Sequence, residues 1–206
     1  MSLRVLAFAL SLGLALPAAA AELLRDDFSN ASSGWTNKAA TRDSDLGFAV
    51  YTDGGQYQMT PVSDSTLGFI AAPRQADGGD VHLESDLFLY AGIGAGSGGL
   101  ACRFQDHQNF YAFVARGDAV MAIVKVKDGQ PTLLAQAKLK SVMPGTVDTR
   151  LKVDCRGEEL RFSAQDGGSI KAKDAEFQNG KSGLVVAGQK MAGTSAVFDN
   201  FVLATP

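Results

Sequence analysis

The chain has little of what most enzymes use. It holds two histidines, His82 and His107, one tryptophan, Trp35, and two cysteines, Cys102 and Cys155. The histidines are far apart and do not form a His-x-x-x-His pair, which argues against a zinc site. No Gly-x-Ser-x-Gly element is present, so a serine hydrolase has no support. No Cys-x-x-Cys is present, which removes the usual dithiol redox arrangement. A basic excess is also missing. Lys and Arg number 19 against 22 Asp and Glu, a net charge of −3. Nucleic acid needs a cationic face that displaces counterions, so a nucleic-acid partner is not expected. No long apolar run follows the N-terminus, so no transmembrane segment is expected.

The one apolar run, Val5 to Leu16, follows Arg4 and is closed by Pro17 and a run of alanines, Ala18 to Ala21. A positive start, an apolar stretch too short to span a bilayer and a small-residue box form a secretory signal peptide. Residues 1–21 are expected to be removed after Ala21, leaving 22–206 as a single β-sandwich domain that is periplasmic or secreted. No cysteine lies at the cleavage point to carry a lipid. In an oxidising compartment two cysteines point to one disulfide, Cys102–Cys155, over two free buried thiols. Leu100, Cys102 and Phe104 are expected on one strand face by period-2 alternation, and Leu151, Val153 and Cys155 on another.

What the chain does have is β-structure. Segments of alternating or apolar character run over Leu23–Phe28, Gly47–Thr52, Gln56–Thr60, Leu67–Ala71, Asp80–Tyr90, Gly99–Gln105 and Asn109–Ala115. They continue over Ala119–Lys127, Thr132–Lys138, Val147–Cys155, Glu159–Ala164, Ser169–Lys173, Gly183–Gly188 and Ser195–Ala204. Asp-Gly and Gly-Asp turns separate them, such as Asp53-Gly54-Gly55 and Asp128-Gly129. Glycine supplies the positive φ that tight hairpins require. Strands at this spacing predict an all-β sandwich or barrel, and the lack of βαβ alternation argues against a parallel sheet.

Asp26-Asp27-Phe28-Ser29, with Ser33-Gly34-Trp35, resembles the opening of bacterial concanavalin A-like domains. Cys102-Arg103-Phe104-Gln105-Asp106, followed by Asn109 to Phe113, is similar to their central hairpin. Val197-Phe198-Asp199-Asn200-Phe201 resembles their closing strand. The resemblance implies a two-sheet antiparallel jelly roll. Lectins, laminin G-like domains, glucanases and 3-keto-disaccharide hydrolase-like proteins share this fold, so it does not choose a function.

Three groups of residues are candidates for function. Glucanases of this fold carry two glutamates around an aspartate on one strand. Here Glu84-Ser85-Asp86 is followed by Leu87-Phe88-Leu89, and the second glutamate is missing. Glu84 and Asp86 are therefore either weak catalytic candidates or an ordinary solvated face. Asp26, Asp27 and Asp199 form a second group, which the neighbouring terminal strands of such sandwiches would bring together. They would hold a structural Ca²⁺ or simply cap strand ends. Asp199 also lies where alternation slips between Phe198 and Phe201, predicting a bulge. The third group is Arg103, Tyr111, Phe113 and Lys125. If cysteine marks the core, these would project from one outer face and bind sugar by stacking and hydrogen bonds; the alternative puts the aromatics in the core. Trp35 is expected to pack against the sheet. The leading expectation is a non-catalytic, glycan-binding exported domain. The alternatives are a glycoside-cleaving enzyme and an envelope protein–protein module.

Overall fold

The computed structural model describes residues 20–37, 46–61, 67–91, 96–140, 143, 145–165, 167–188 and 193–206. The expected signal peptide lies almost wholly outside the described residues. The strands are β1 (Glu22–Asp26), β2 (Leu46–Tyr51), β3 (Tyr57–Pro61), β4 (Leu67–Ala71), β5 (Val81–Tyr90), β6 (Ser97–Asp106) and β7 (Asn109–Arg116). They continue as β8 (Val120–Lys127), β9 (Gln130–Lys138), β10 (Thr146–Arg156), β11 (Glu159–Ala164), β12 (Gly168–Lys173), β13 (Lys181–Ala187) and β14 (Ser195–Ala204). Every strand end lies within two residues of the boundary expected from alternation and turns.

The strands form two antiparallel sheets. The eight-stranded sheet runs β12-β11-β10-β5-β14-β3-β2, with β1 also paired to β14. The six-stranded sheet runs β4-β13-β6-β7-β8-β9. The inward rows of both sheets build the core: Leu83, Leu87 and Leu89 of β5 face Leu100, Tyr111, Phe113 and Leu184 of the other sheet. On β5 the inner residues are buried and the alternate ones more exposed, as expected for a half-buried antiparallel strand. Strands β6, β7 and β13 depart from this pattern, with apolar residues on both faces. Their outer row, including Ala101, Phe104, Phe110 and Val185, forms a second apolar cluster.

The disulfide is formed. Cys102 of β6 and Cys155 of β10 tie the two sheets together across 53 residues of chain. Closing a loop of that length stabilises the fold by about 4 kcal/mol in the chain-entropy treatment.

Two bulges set which side chains face where. The expected slip in β14 is present, with the register to β5 shifting between Asp199 and Val202 and Asn200 at φ 48°. It turns both Phe198 and Phe201 inward. The Ser85 hydroxyl, on the core side of β5, donates to the Asp199 carbonyl at 2.9 Å and so satisfies the bulge. The second bulge was not expected. The β6–β7 register shifts after Cys102, and Arg103 adopts φ 53°. The extra residue reverses the parity of β6. Phe104 therefore lies on the outer face with Ala101, and not in the core with Cys102.

Trp35 is structural, as expected. It is buried against Phe28, Tyr57 and Phe201, with ring centroids 4.9–5.6 Å apart.

Candidate functional site

The expected patch of Arg103, Tyr111, Phe113 and Lys125 is not on an outer face. The reversed parity at Arg103 and the inward row of β7 put Arg103, Tyr111 and Phe113 at 0% exposure. Arg103 clips three loops together at one end of the sandwich. Its Nε donates to Gly79 O (3.0 Å), its Nη1 to Gly157 O (2.8 Å) and Phe177 O (3.0 Å), and its Nη2 to Asp80 (2.9 Å). Tyr111 and Lys125 do meet, but around Asp174, a residue the sequence did not single out. Tyr111 Oη and Lys125 Nζ each donate to one Asp174 oxygen at 2.5 Å. Burial, with the Asp174 hydrogen bond, pushes the Tyr111 phenol up to about 12. Phe113 packs on Phe162 in the core. Arg103, Tyr111 and Phe113 thus lie in the interior, and the half-buried Lys125 is paired with Asp174.

The calcium group is engaged in local hydrogen bonds. Both Asp26 oxygens are already used: Oδ1 accepts from Phe28 N–H and Oδ2 from Trp35 Nε1–H, each at 2.8 Å. Asp27 Oδ1 accepts from the backbone and hydroxyl of Ser29. Asp199 Oδ1 accepts from Asn200 N–H. Burial raises the Asp199 carboxyl, and the neighbouring charges of Asp86 and Asp27 add to the rise. Among the described residues, no three His, Cys, Asp or Glu side chains are gathered to hold a metal. Each of the three Asp side chains accepts from a backbone N–H one or two residues further on.

The outer face of β5 divides into two halves. Alternation puts His82, Glu84, Asp86, Phe88 and Tyr90 on it in order. The first three are locked in an ionic network with β10. Glu84 accepts from Arg150 (2.7 Å) and Lys152 (2.9 Å) and lies 3.0 Å from His82 Nε2. Asp86 accepts from Arg150 (2.7 Å) and Asn200 (2.8 Å). His82 Nδ1 lies 3.0 Å from Asp154. Burial alone would lift the Glu84 carboxyl. The bonds from Lys152, Arg150 and His82 outweigh it and bring Glu84 down to about 2. A general acid needs the opposite, a carboxyl raised toward the working pH. Sequence reasoning allowed Glu84 and Asp86 as a catalytic pair; the structure places both against Arg150. Two shallow depressions of about 300 and 240 Å³ lie along the same charged side, over β10 and β11.

The other half is different. Phe88 and Tyr90 are 46% and 53% exposed. Phe88 stands between Asp148 of β10 and Val197 of β14, and Val197 in turn pairs with Gln58 of β3. Tyr90 stands between Thr146 and Ser195. Gln58 Nε2 donates to Ser195 Oγ at 2.8 Å, which orients both groups. Two exposed rings thus lie side by side on a central strand, edged by an amide, two hydroxyls and a carboxylate. Such an arrangement can stack on an apolar ring face and bond its polar rim. Extending the alternation of Glu84 and Asp86 by two steps finds Phe88 and Tyr90 in the sequence.

No family model matches this sequence, and no curated protein matches it. Solved structures do. One is the carbohydrate-binding module CBM66 from Bacillus subtilis, with TM-score 0.64 and 24% identity over 84% of this chain and 96% of that one. Another is the exoplasmic/lumenal domain of VIP36 in its Ca²⁺/Man3GlcNAc-bound form, with TM-score 0.59 and 15% identity over 84% of each chain. A third is the Bacillus licheniformis β-glucanase, with TM-score 0.62 and 9% identity over 90% of this chain and 98% of that one. The fold is the concanavalin A-like jelly roll expected from the sequence.

Proposed function

We propose that this chain is an exported carbohydrate-binding domain that takes glycan on the aromatic half of its eight-stranded sheet. The observation that carries the reading is the exposed pair Phe88 and Tyr90 on a central strand. Aromatic rings left in water on a flat sheet are free to stack on the C–H faces of sugars. Gln58, Ser195, Thr146 and Asp148 supply donors and acceptors at the ring edges. The fold relatives named as a carbohydrate-binding module and as a sugar-bound lumenal domain support the same reading. Export rests on the leader over 1–21 and on the Cys102–Cys155 disulfide, which fits an oxidising compartment such as the periplasm or the cell exterior. Cleavage after Ala21 keeps all of β1, which begins at Glu22, and gives up the pairing of Ala21 with Thr205. The glycoside-cleaving alternative loses support, because Glu84 is held ionised and both carboxylates are engaged by Arg150.

The test is a glycan array with the exported form, Glu22–Pro206, beside its Phe88→Ala/Tyr90→Ala variant. Saturable binding that the double variant loses is expected. Equal binding by both proteins, or none by either, sinks the reading.

A further inference from the structure

The platform has an axis. Resting on the reading above, we infer that it holds two consecutive sugar units in tandem subsites, one on Phe88 and one on Tyr90, so that its ligand is a linear glycan lying along β5. The two residues are two apart on that strand, and both stand on its outer face, 46% and 53% exposed. An antiparallel strand rises about 3.4 Å per residue, so the step from one ring to the next is about 7 Å along β5. That step is wider than one pyranose ring. One sugar therefore covers one aromatic ring, and two linked sugars cover both. Across the strands the neighbours are aliphatic or polar. Phe88 stands between Asp148 and Val197, and Tyr90 between Thr146 and Ser195. The stacking surface thus repeats along the strand. Each repeat is a ring flanked by one side chain of β10 and one of β14, about 5 Å to either side.

The two repeats are not alike. Beside Phe88 stand the exposed Asp148, whose carboxylate only accepts hydrogen bonds, and the aliphatic Val197. Beside Tyr90 stand two hydroxyls, Thr146 and Ser195, which donate and accept, and Gln58 Nε2 holds the Ser195 hydroxyl at 2.8 Å. A unit on Phe88 meets mostly apolar surface and gives a hydroxyl proton to Asp148. A unit on Tyr90 meets three hydroxyls, the phenol included. The two ends of a glycan differ, so unlike subsites in a line favour one direction of the chain along β5 over the other.

The test is calorimetry on Glu22–Pro206 with three sugars and their disaccharides: glucose and cellobiose, mannose and mannobiose, xylose and xylobiose. At least one disaccharide is expected to bind about tenfold or more tighter than its monosaccharide. Phe88→Ala and Tyr90→Ala, made one at a time, are each expected to bring that disaccharide down to the affinity of the monosaccharide. Each should move the monosaccharide itself by about threefold at most, because the other ring remains. A disaccharide no tighter than its monosaccharide, or a single change that weakens both sugars equally, overturns the tandem subsites and leaves glycan binding standing. A nitroxide on the reducing end of the same disaccharide reads the direction. It is expected to broaden amide signals at one end of the outer row of β5, either Asp86 and its partner Asn200 or Thr146 and Ser195, more than those of Val50 and Gln58. Strongest broadening at Val50 and Gln58 overturns the alignment with the strand, and equal broadening at both ends overturns the single direction. Binding of none of these sugars overturns the tandem subsites, and a blank array beside it overturns the underlying reading as well.

Discussion

Strand β5 carries two outer halves that differ in how their side chains are satisfied. From His82 to Asp86 every polar group has a partner, and Arg150 bridges both carboxylates. From Phe88 to Tyr90 the rings are about half exposed, and their flanking groups are hydroxyl, amide and a carboxylate with no ion pair among the described residues. Both halves come from the same alternation on the same strand. The difference teaches that charge on a sheet face is a poor guide to a site when the charges already answer one another. A site is better sought where large side chains stay in water without an internal partner.

The comparison predicts that the ionic half governs stability and the aromatic half governs binding. The largest effect is expected from Glu84→Gln. It removes the anion that faces Arg150, Lys152 and His82, and should cost about 2 kcal/mol of stability after allowance for solvent screening. Glycan affinity should stay within about twofold of wild type, as the residue lies outside the proposed platform. Chemical denaturation with parallel binding titrations checks both halves of that statement.

The same residue gives a pH signature. Its carboxyl is depressed in the folded state to about 2 from 4.5, so its contribution is complete above about pH 4.5. It is lost as pH falls from there through about 2. Stability curves of wild type and Glu84→Gln should therefore converge over that window and stay parallel above it. A constant gap down to pH 2 would show that Glu84 gains nothing from its partners.

Next in size is Phe88→Ala. Stability should change by about 0.5 kcal/mol or less, because the ring is 46% exposed. The glycan Kd should rise about tenfold, or about 1.4 kcal/mol. A smaller effect is expected from Asp86→Asn. Its side chain is 41% exposed and shares Arg150 with Glu84, so the loss should be below about 1 kcal/mol by denaturation. The smallest is Tyr90→Phe, which keeps the stacking face and should move Kd by about twofold at most.

Much of the fold was legible because it follows from local rules. Period-2 alternation and Asp-Gly turns located all the described strands, and the Phe198/Phe201 slip located the β14 bulge. The faces of β6 were not legible. A positive φ at a non-glycine such as Arg103 leaves no mark in the sequence, and one extra residue reverses every side chain after it. The sugar patch drawn from that hairpin therefore turned inward. The calcium group failed for a different reason. The pairing of β1 with β14 that brings these strands side by side was readable, but the Trp35 and Phe28 N–H donors that occupy Asp26 depend on where a loop folds back. Asp174, which holds Tyr111 and Lys125, sits in the loop between β12 and β13, where no periodicity assigns a direction.

The most direct measurement is a chemical-shift map of labelled Glu22–Pro206 titrated with the glycan that binds it best on the array. The account predicts that the shifted resonances cluster at Phe88, Tyr90, Val197, Gln58 and Asp148, with Glu84 and Arg150 little changed. Shifts centred on Glu84 and Arg150, or on the outer face of the six-stranded sheet, would contradict it.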